Sequence, residues 1–331
     1  MNAAPVVPIT DYVFPNLDPE HEVLGPLGVD LRPAQCKTPE EVAAHVRGAD
    51  ALLVCYAPVP AEVVAQLEGC RIIARYGIGV DNVDVEAATS AGIVVTNVPD
   101  YCIDEVSDHA LALILALSRK VAQADRRIRA GEWSVPGLGE MHRLRERTLG
   151  LVGMGKIPRA LVPKAQALGL AVVSFDPYFH QDDADRMGIR LVSLETLLRS
   201  SDIISLHAPL TDETREMINA QSIALMKPGV LIVNTARGPL VDIPALVEAL
   251  QSGQVGAAGL DVLPVEPPPP GSPLLSLENV ILTPHAAFSS TEAIVELQTK
   301  AAEEVARALR GQRPRNPVNP GVLGKIDWLK Q

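Results

Sequence analysis

The sequence predicts an α/β protein built from two doubly wound parallel sheets, and three observations carry that prediction. Short apolar, β-branched runs alternate with helix-patterned segments from residue 6 to residue 310, as parallel strands joined by crossover helices do. Residues 148–177, TLGLVGMGKIPRALVPKAQALGLAVVSFDP, read as one strand, a glycine turn, a helix and a second strand, about the length of a parallel crossover. At 331 residues the chain has room for about two domains, each with an ample core.

In chain order, the first hundred residues give strands at 6–9, 51–55, 71–75 and 93–97 and helices at 39–46 and 61–66. Between them lies the loop RYGIGVDNVD, residues 75–84. Gly77 and Gly79 either free backbone N–H groups to face an anion or only turn a strand into a helix beginning near Val83, and the residues alone leave both readings open. One long helix is predicted over 104–129, with an apolar face of Val106, Ala110, Leu113, Ile114 and Leu117 wide enough to bury against another domain or subunit. The glycine-rich arm 131–140 carries Trp133, one of only two tryptophans. An exposed arm seldom carries tryptophan, so the 104–140 segment is expected to form a homodimer interface.

The alternation then continues with strands at 189–192, 202–207, 230–235, 255–261 and 280–283, and helices at 194–199, 219–226 and 243–252. A final helix at 290–310 precedes the proline-rich stretch 316–320. That stretch is expected to run back along the first domain and make it discontinuous, giving domains of 1–102 with 292–331, and of 103–291.

Composition narrows the function. Nearly half the residues are apolar and only 3% aromatic, so the core must be aliphatic and alanine-rich. A net charge of −11 argues against a nucleic-acid-binding face. Cys36, Cys55, Cys70 and Cys102 make no metal or CxxC spacing and read as reduced, buried hydrophobes; no metal is expected. The longest apolar run, near 110–117, is too short for a bilayer, and the N-terminus shows no basic region followed by an apolar one. The expected setting is the cytoplasm, with no membrane partner.

The 148–177 unit has a specific chemistry. Gly153 permits the tight turn, and Gly155 lets the backbone approach a pyrophosphate at the positive end of the following helix. Asp176 stands 23 residues after Gly153, where a carboxylate accepts hydrogen bonds from an adenosine ribose and repels a 2′-phosphate. No Arg or Lys follows in Pro177-Tyr178-Phe179, so the unit reads as an NAD site in preference to NADP. Pro158 replaces the third glycine of the usual pattern; it removes a possible phosphate donor and adds bulk where helix meets sheet. Pro163 is expected to kink the helix.

Ligands of such sheets bind beyond the carboxyl ends of the strands. There, Arg237 ends VLIVNTAR, Glu266 follows GLDVLPVE and His285 follows VILTPH. Arginine grips a carboxylate through two charge-assisted hydrogen bonds. A histidine paired with a carboxylate suits acid/base work. Pro267 to Pro270 would hold the backbone after Glu266 extended.

Over residues 51–320 the chain resembles the D-isomer-specific 2-hydroxyacid dehydrogenase family, through RIIARYGIGVDNVD, LGLVGMGKI, SLHAPLTDET, VNTARGPLVD, GLDVLPVEP and TPHAA. Within the family it is similar to the phosphoglycerate dehydrogenase branch and, in VTNVPDYCIDEVSDHALAL and RPRNPVNP, to C-terminal-binding-protein-like members. The resemblance implies a Rossmann-type NAD domain inserted in a discontinuous flavodoxin-like substrate domain. It implies that Arg237 holds the substrate carboxylate and carbonyl, helped by Arg75, Gly77 and the N–H groups of Ile78 and Gly79. His285 would exchange a proton with the 2-keto oxygen during hydride transfer, with Glu266 keeping it charged and oriented. The cofactor would meet Gly153, Gly155, Lys156, Ile157 and Asp176, then His207, Pro209, Thr214, Thr235 and Ala236, with Asp261 near the nicotinamide carboxamide. Domain closure would exclude water, and Phe288 stands where animal C-terminal-binding proteins carry tryptophan.

Three functions compete. The first is NAD-dependent interconversion of a 2-keto acid and a D-2-hydroxy acid. The second is an NAD-sensing scaffold like the animal C-terminal-binding proteins, disfavoured because only eleven residues follow Pro320. The third is oxidation of formate or phosphite, disfavoured because similar formate dehydrogenases place glutamine where Glu266 stands. Arg75 is the only cation near the first-domain loop, which favours a small acid such as glyoxylate, hydroxypyruvate or pyruvate over a phosphorylated one.

Overall fold

The computed structural model describes residues 3–326, and the chain divides into two compact units, Met1–Tyr101 with Ser290–Gln331, and Cys102–Ser289. The first unit runs β1 (Val6–Ile9), α1 (Asp18–Leu24), β2 (Asp30–Pro33), α2 (Pro39–His45), β3 (Leu52–Val54), α3 (Ala61–Val64), β4 (Ile72–Arg75), α4 (Val85–Ser90) and β5 (Val94–Thr96). Its five strands are parallel in the order β2-β1-β3-β4-β5, the flavodoxin-like winding. The apolar runs of β1, β3, β4 and β5 become its centre, with Val7, Leu52, Leu53, Ile72, Ile73 and Val94 fully buried. Helix α2 starts at a capping box, in which Thr38 Oγ1 accepts the Glu41 N–H and the Glu41 side chain accepts the Thr38 N–H.

The second unit contains α5 (Ile103–Ser118), α6 (Val121–Arg129), β6 (Thr148–Val152), α7 (Lys156–Ala167), β7 (Ala171–Phe175), α8 (Gln181–Arg186) and β8 (Arg190–Leu191). It continues through α9 (Leu194–Ser200), β9 (Ile203–Leu206), α10 (Ala220–Ala224), β10 (Val230–Asn234), α11 (Ile243–Ser252), β11 (Val255–Leu260) and β12 (Val280–Leu282). The sheet order is β12-β11-β10-β9-β6-β7-β8. Strand order reverses between β6 and β9, the switch point at which a dinucleotide fold opens its ligand crevice.

At three places the fold departs from what the sequence predicts. The predicted helix over 104–129 is two helices, because the chain breaks at Lys120, whose φ of 53° is left-handed. The apolar face of α5 packs on the sheet of its own unit, with Ala110, Leu113, Ile114 and Leu117 in one core with Leu149, Leu151 and Val233, so those side chains are buried within the chain. Pro163 lies inside α7 and is exposed. After Glu266 the chain bends, with a cis peptide to Pro267, where an extended course was expected.

Helix α12 (Thr291–Leu309) returns to the first unit. The tail then lies along β5, where Thr96 pairs with Pro317 and the Val318 N–H reaches the Val95 carbonyl at 2.8 Å. Asn319 completes the join from a nearly buried position. Its Oδ1 accepts the Val95 N–H at 2.9 Å, and its Nδ2 donates to the Ile93 carbonyl at 3.0 Å and Thr89 Oγ1 at 2.8 Å. Cys36, Cys55, Cys70 and Cys102 form no disulfide and are buried, and burial pushes the Cys55 and Cys70 thiols up to about 12. Among the described residues no helix is long and apolar enough to cross a membrane.

Replacing Asn319 by Ala leaves the Val95 N–H and the Ile93 carbonyl without partners in a dry seam. The expected cost is about 1–3 kcal/mol, read in urea melts as a lower midpoint at unchanged slope.

Candidate active site

The nucleotide turn forms as its glycines require. Gly153 has φ +98°, and a Cβ there would stand 2.9 Å from the His207 carbonyl, so the turn can pack on the end of β9 only with glycine. Gly155 caps α7, and a Cβ on it would project into open space. The first-turn amides of Lys156 and Ile157 have no intrahelical partner, and Pro158 at the third position has no N–H to lose there. Asp176 follows β7 and pins the turn. Its Oδ2 accepts the Met154 N–H at 2.7 Å, and its Oδ1 accepts the Tyr178 N–H at 2.8 Å.

Beyond β9, His207 Nε2 lies 2.9 Å from Ser205 Oγ, and burial pushes its imidazole down to about 4. The Thr214 hydroxyl donates to the Pro209 carbonyl at 2.7 Å and so shapes the 209–214 loop. After β10, Thr235 Oγ1 is buried and has no hydrogen-bond partner among the described residues. An orphaned donor, a helix N-terminus and an open space above Gly155, all beyond strand ends, fit a dinucleotide.

The three strand-end residues come together in this same unit. His285 Nδ1 and Glu266 Oε2 are 2.8 Å apart. The other oxygen of Glu266 accepts the Leu263 N–H at 2.8 Å. Burial alone would raise the Glu266 carboxyl, but the hydrogen bonds from His285 and Leu263 and the charges of His285 and Arg237 outweigh it and hold the carboxyl below its ordinary value. Its carboxylate thus accepts Nδ1–H and leaves Nε2 as the exchangeable position. His285 is left-handed, φ 52°, and its ring meets Phe288 edge-on with centroids 6.4 Å apart.

Two residues that the sequence reading did not single out place these groups. Asn234, 1% exposed, accepts the Ala236 N–H and donates to the Arg237 carbonyl at 2.8 Å, fixing the turn that carries the arginine. Gly238 lies so close to the Leu263–Pro264 backbone that any Cβ would overlap it. Asp261, 2% exposed, spends its carboxylate on Thr283 Oγ1 at 2.6 Å and on the Ala286 and Ala287 N–H groups, both at 2.9 Å. A strand-end Asn or Asp is a visible signal, but which amide it caps depends on tertiary approach.

In the first unit, Arg75 ends β4 with its guanidinium 5.9 Å from the Tyr56 ring centroid. Gly77, φ +140°, leaves the space that guanidinium fills. The Gly77 carbonyl accepts the Val98 N–H at 2.9 Å and the Ile78 carbonyl accepts Asn97 Nδ2 at 2.6 Å, which sets the peptide planes leading to Gly79. Among the described residues no group of three or more His, Cys, Asp or Glu could hold a metal ion. Trp133 is 90% exposed in the single chain, with Val135 and Val121 also outward.

Residues 111–287 match the family model described as the D-isomer specific 2-hydroxyacid dehydrogenase NAD binding domain. A glyoxylate reductase of Korarchaeum cryptofilum is 41% identical over 286 residues, covering 85% of this chain and 86% of that protein. A D-3-phosphoglycerate dehydrogenase of Archaeoglobus fulgidus is 40% identical over 290 residues, 87% of this chain, which spans only 55% of that longer protein. The crystal structure of D-lactate dehydrogenase from Aquifex aeolicus, complexed with NAD and lactic acid, superposes with a TM-score of 0.84 at 27% identity. That match covers 97% of this chain and 98% of that one.

Two changes test the cofactor turn. Gly153→Ala forces a Cβ into the His207 backbone at a φ that L-residues resist, and lowers stability by about 1–3 kcal/mol in chemical melts. For His207 the folded imidazole, at about 4, sits below the unfolded value near 6.5. The fold therefore disfavours the proton: stability is full above the unfolded value and falls as pH drops from about 6.5 through about 4. Replacing it by Gln flattens that part of the stability profile by about 1–3 kcal/mol.

Proposed function

Because this chain belongs to the D-isomer-specific 2-hydroxyacid dehydrogenase family, we propose that it is an NAD-dependent oxidoreductase interconverting a small 2-keto acid and its D-2-hydroxy acid. The observation that carries the reading is the His285–Glu266 pair, 2.8 Å apart, in the unit that holds both Arg237 and the nucleotide turn. Gly153, Gly155, Lys156, Ile157 and Asp176 would hold the adenosine and pyrophosphate. His207, Pro209, Thr214, Thr235, Ala236 and Asp261 would line the rest. The bound nicotinamide supplies the hydride in reduction and accepts it in oxidation.

Arg237 grips the substrate carboxylate with its planar fork and orients the keto group. His285 donates the proton on Nε2 to the 2-keto oxygen in reduction and takes one from the hydroxyl in oxidation; such transfer contributes about 10²–10⁴-fold. Glu266 holds the Nδ1 proton and stabilises the imidazolium. Arg75, Gly77, Ile78 and Gly79 would also take part in substrate binding. A single arginine in that loop supports glyoxylate, hydroxypyruvate or pyruvate over a phosphorylated acid. A homodimer joined through the 104–140 segment, and a cytoplasmic setting, complete the reading; outward Trp133 and Val135 and four buried cysteines outside any disulfide support them.

Loss of NADH absorbance against a panel of 2-keto acids tests the proposal. Wild-type turnover that falls by at least ~10²-fold in both Arg237→Ala and His285→Ala is the expected result. Tight NADH binding without turnover on any acid overturns it and leaves a cofactor-sensing scaffold. Glu266→Gln removes the carboxylate that fixes the Nδ1 proton and the orientation of the ring, so kcat is expected to fall while NADH affinity stays unchanged.

A further inference from the structure

His285 is held by a loop that winds around one buried carboxylate. Its own N–H donates to the Asp261 carbonyl at 2.8 Å and the Thr283 carbonyl at 3.0 Å. On either side of it, Thr283 Oγ1, Ala286 N–H and Ala287 N–H all converge on the Asp261 carboxylate. A further group reaches this cluster from α5, 174 positions earlier: His109 Nε2 lies 3.0 Å from Thr283 Oγ1 and 3.6 Å from Asp261 Oδ1. The Thr283 hydroxyl has one proton, committed to Asp261 at 2.6 Å. Towards His109 it can only accept, so His109 Nε2 carries the hydrogen.

We propose that His109 is a positioning residue for His285, acting through Thr283 and Asp261; the inference rests on the dehydrogenase reading above. His109 is well placed to hold that loop. Its neighbours on α5, Ala110 and Leu113, are 0% and 4% exposed in the core, so the helix is a fixed post. The loop needs one, because a left-handed φ at a residue with a Cβ is costly and persists only where its surroundings enforce it. With the His109 donor removed, Thr283 keeps its bond to Asp261 but can turn with it, and the His285 ring loses its aim while the nucleotide turn, on β6 and α7, is untouched.

The test compares His109→Phe, which fills the space without a donor, with His109→Gln, which keeps one, in the full chain. Measured are kcat, KM for the best keto acid, NADH affinity, and hydrogen exchange at the Ala286 and Ala287 amides with β6 amides as control. His109→Phe is expected to lower kcat roughly 5- to 30-fold, the worth of one hydrogen bond in such a network. NADH affinity and β6 exchange stay unchanged, exchange at Ala286 and Ala287 speeds up, and His109→Gln recovers most of the kcat. Unchanged kcat, equal loss in both variants, or a loss explained by weaker NADH binding overturns the proposal. If the wild-type protein turns over no keto acid, the dehydrogenase reading fails by itself. The exchange measurement then decides alone: unaltered protection at Ala286 and Ala287 in His109→Phe rejects the clamp, and selective loss there upholds it.

Discussion

In the larger sheet every strand is parallel and its central strands are buried on both faces, so a side chain that must meet a ligand can only follow a strand's last residue. Parallel direction sends all those last residues to one pole. Asp176 comes after β7, His207 after β9, Thr235 to Arg237 after β10, Asp261 after β11 and His285 shortly after β12. Strand order completes the arrangement: β10, β11 and β12 are neighbours, which is why Arg237, Glu266 and His285 meet although 48 positions of sequence separate the first from the last.

A parallel strand that stops leaves backbone N–H groups that the ladder no longer satisfies, and this chain answers that problem the same way four times. Asp11 after β1 accepts the amides of Cys55, Tyr56 and Ala57. Asp176 takes those of Met154 and Tyr178, Asn234 that of Ala236, and Asp261 those of Ala286 and Ala287. Short acceptors at strand ends keep the loops of the candidate site close to one geometry, which the proposed catalysis requires.

Sequence periodicity located the central strands because their burial on both faces leaves apolar runs; β1 and α11 match the predicted bounds. Strand β2, Asp-Leu-Arg-Pro, escaped because it is an exposed sheet edge with no apolar signal. Helix α1 escaped for want of a capping side chain before it. The break at Lys120 has neither glycine nor proline to announce it. At the candidate site, Arg237, Glu266 and His285 could be nominated from sequence because the proposed chemistry restricts the residue type. Asn234, Gly238 and His109 were not, since their roles come from contacts with chain far away in sequence.

The join between β5 and the tail at Asn319 bears on the order in which this chain can acquire its shape as it is made. The nucleotide unit is one continuous stretch, so all of it has emerged before α12 is synthesised. The first unit, by contrast, lacks α12 and the strip along β5 until residues 291–319 arrive. A growing chain can therefore complete its inserted unit first, while residues 1–101 wait with an open edge of sheet.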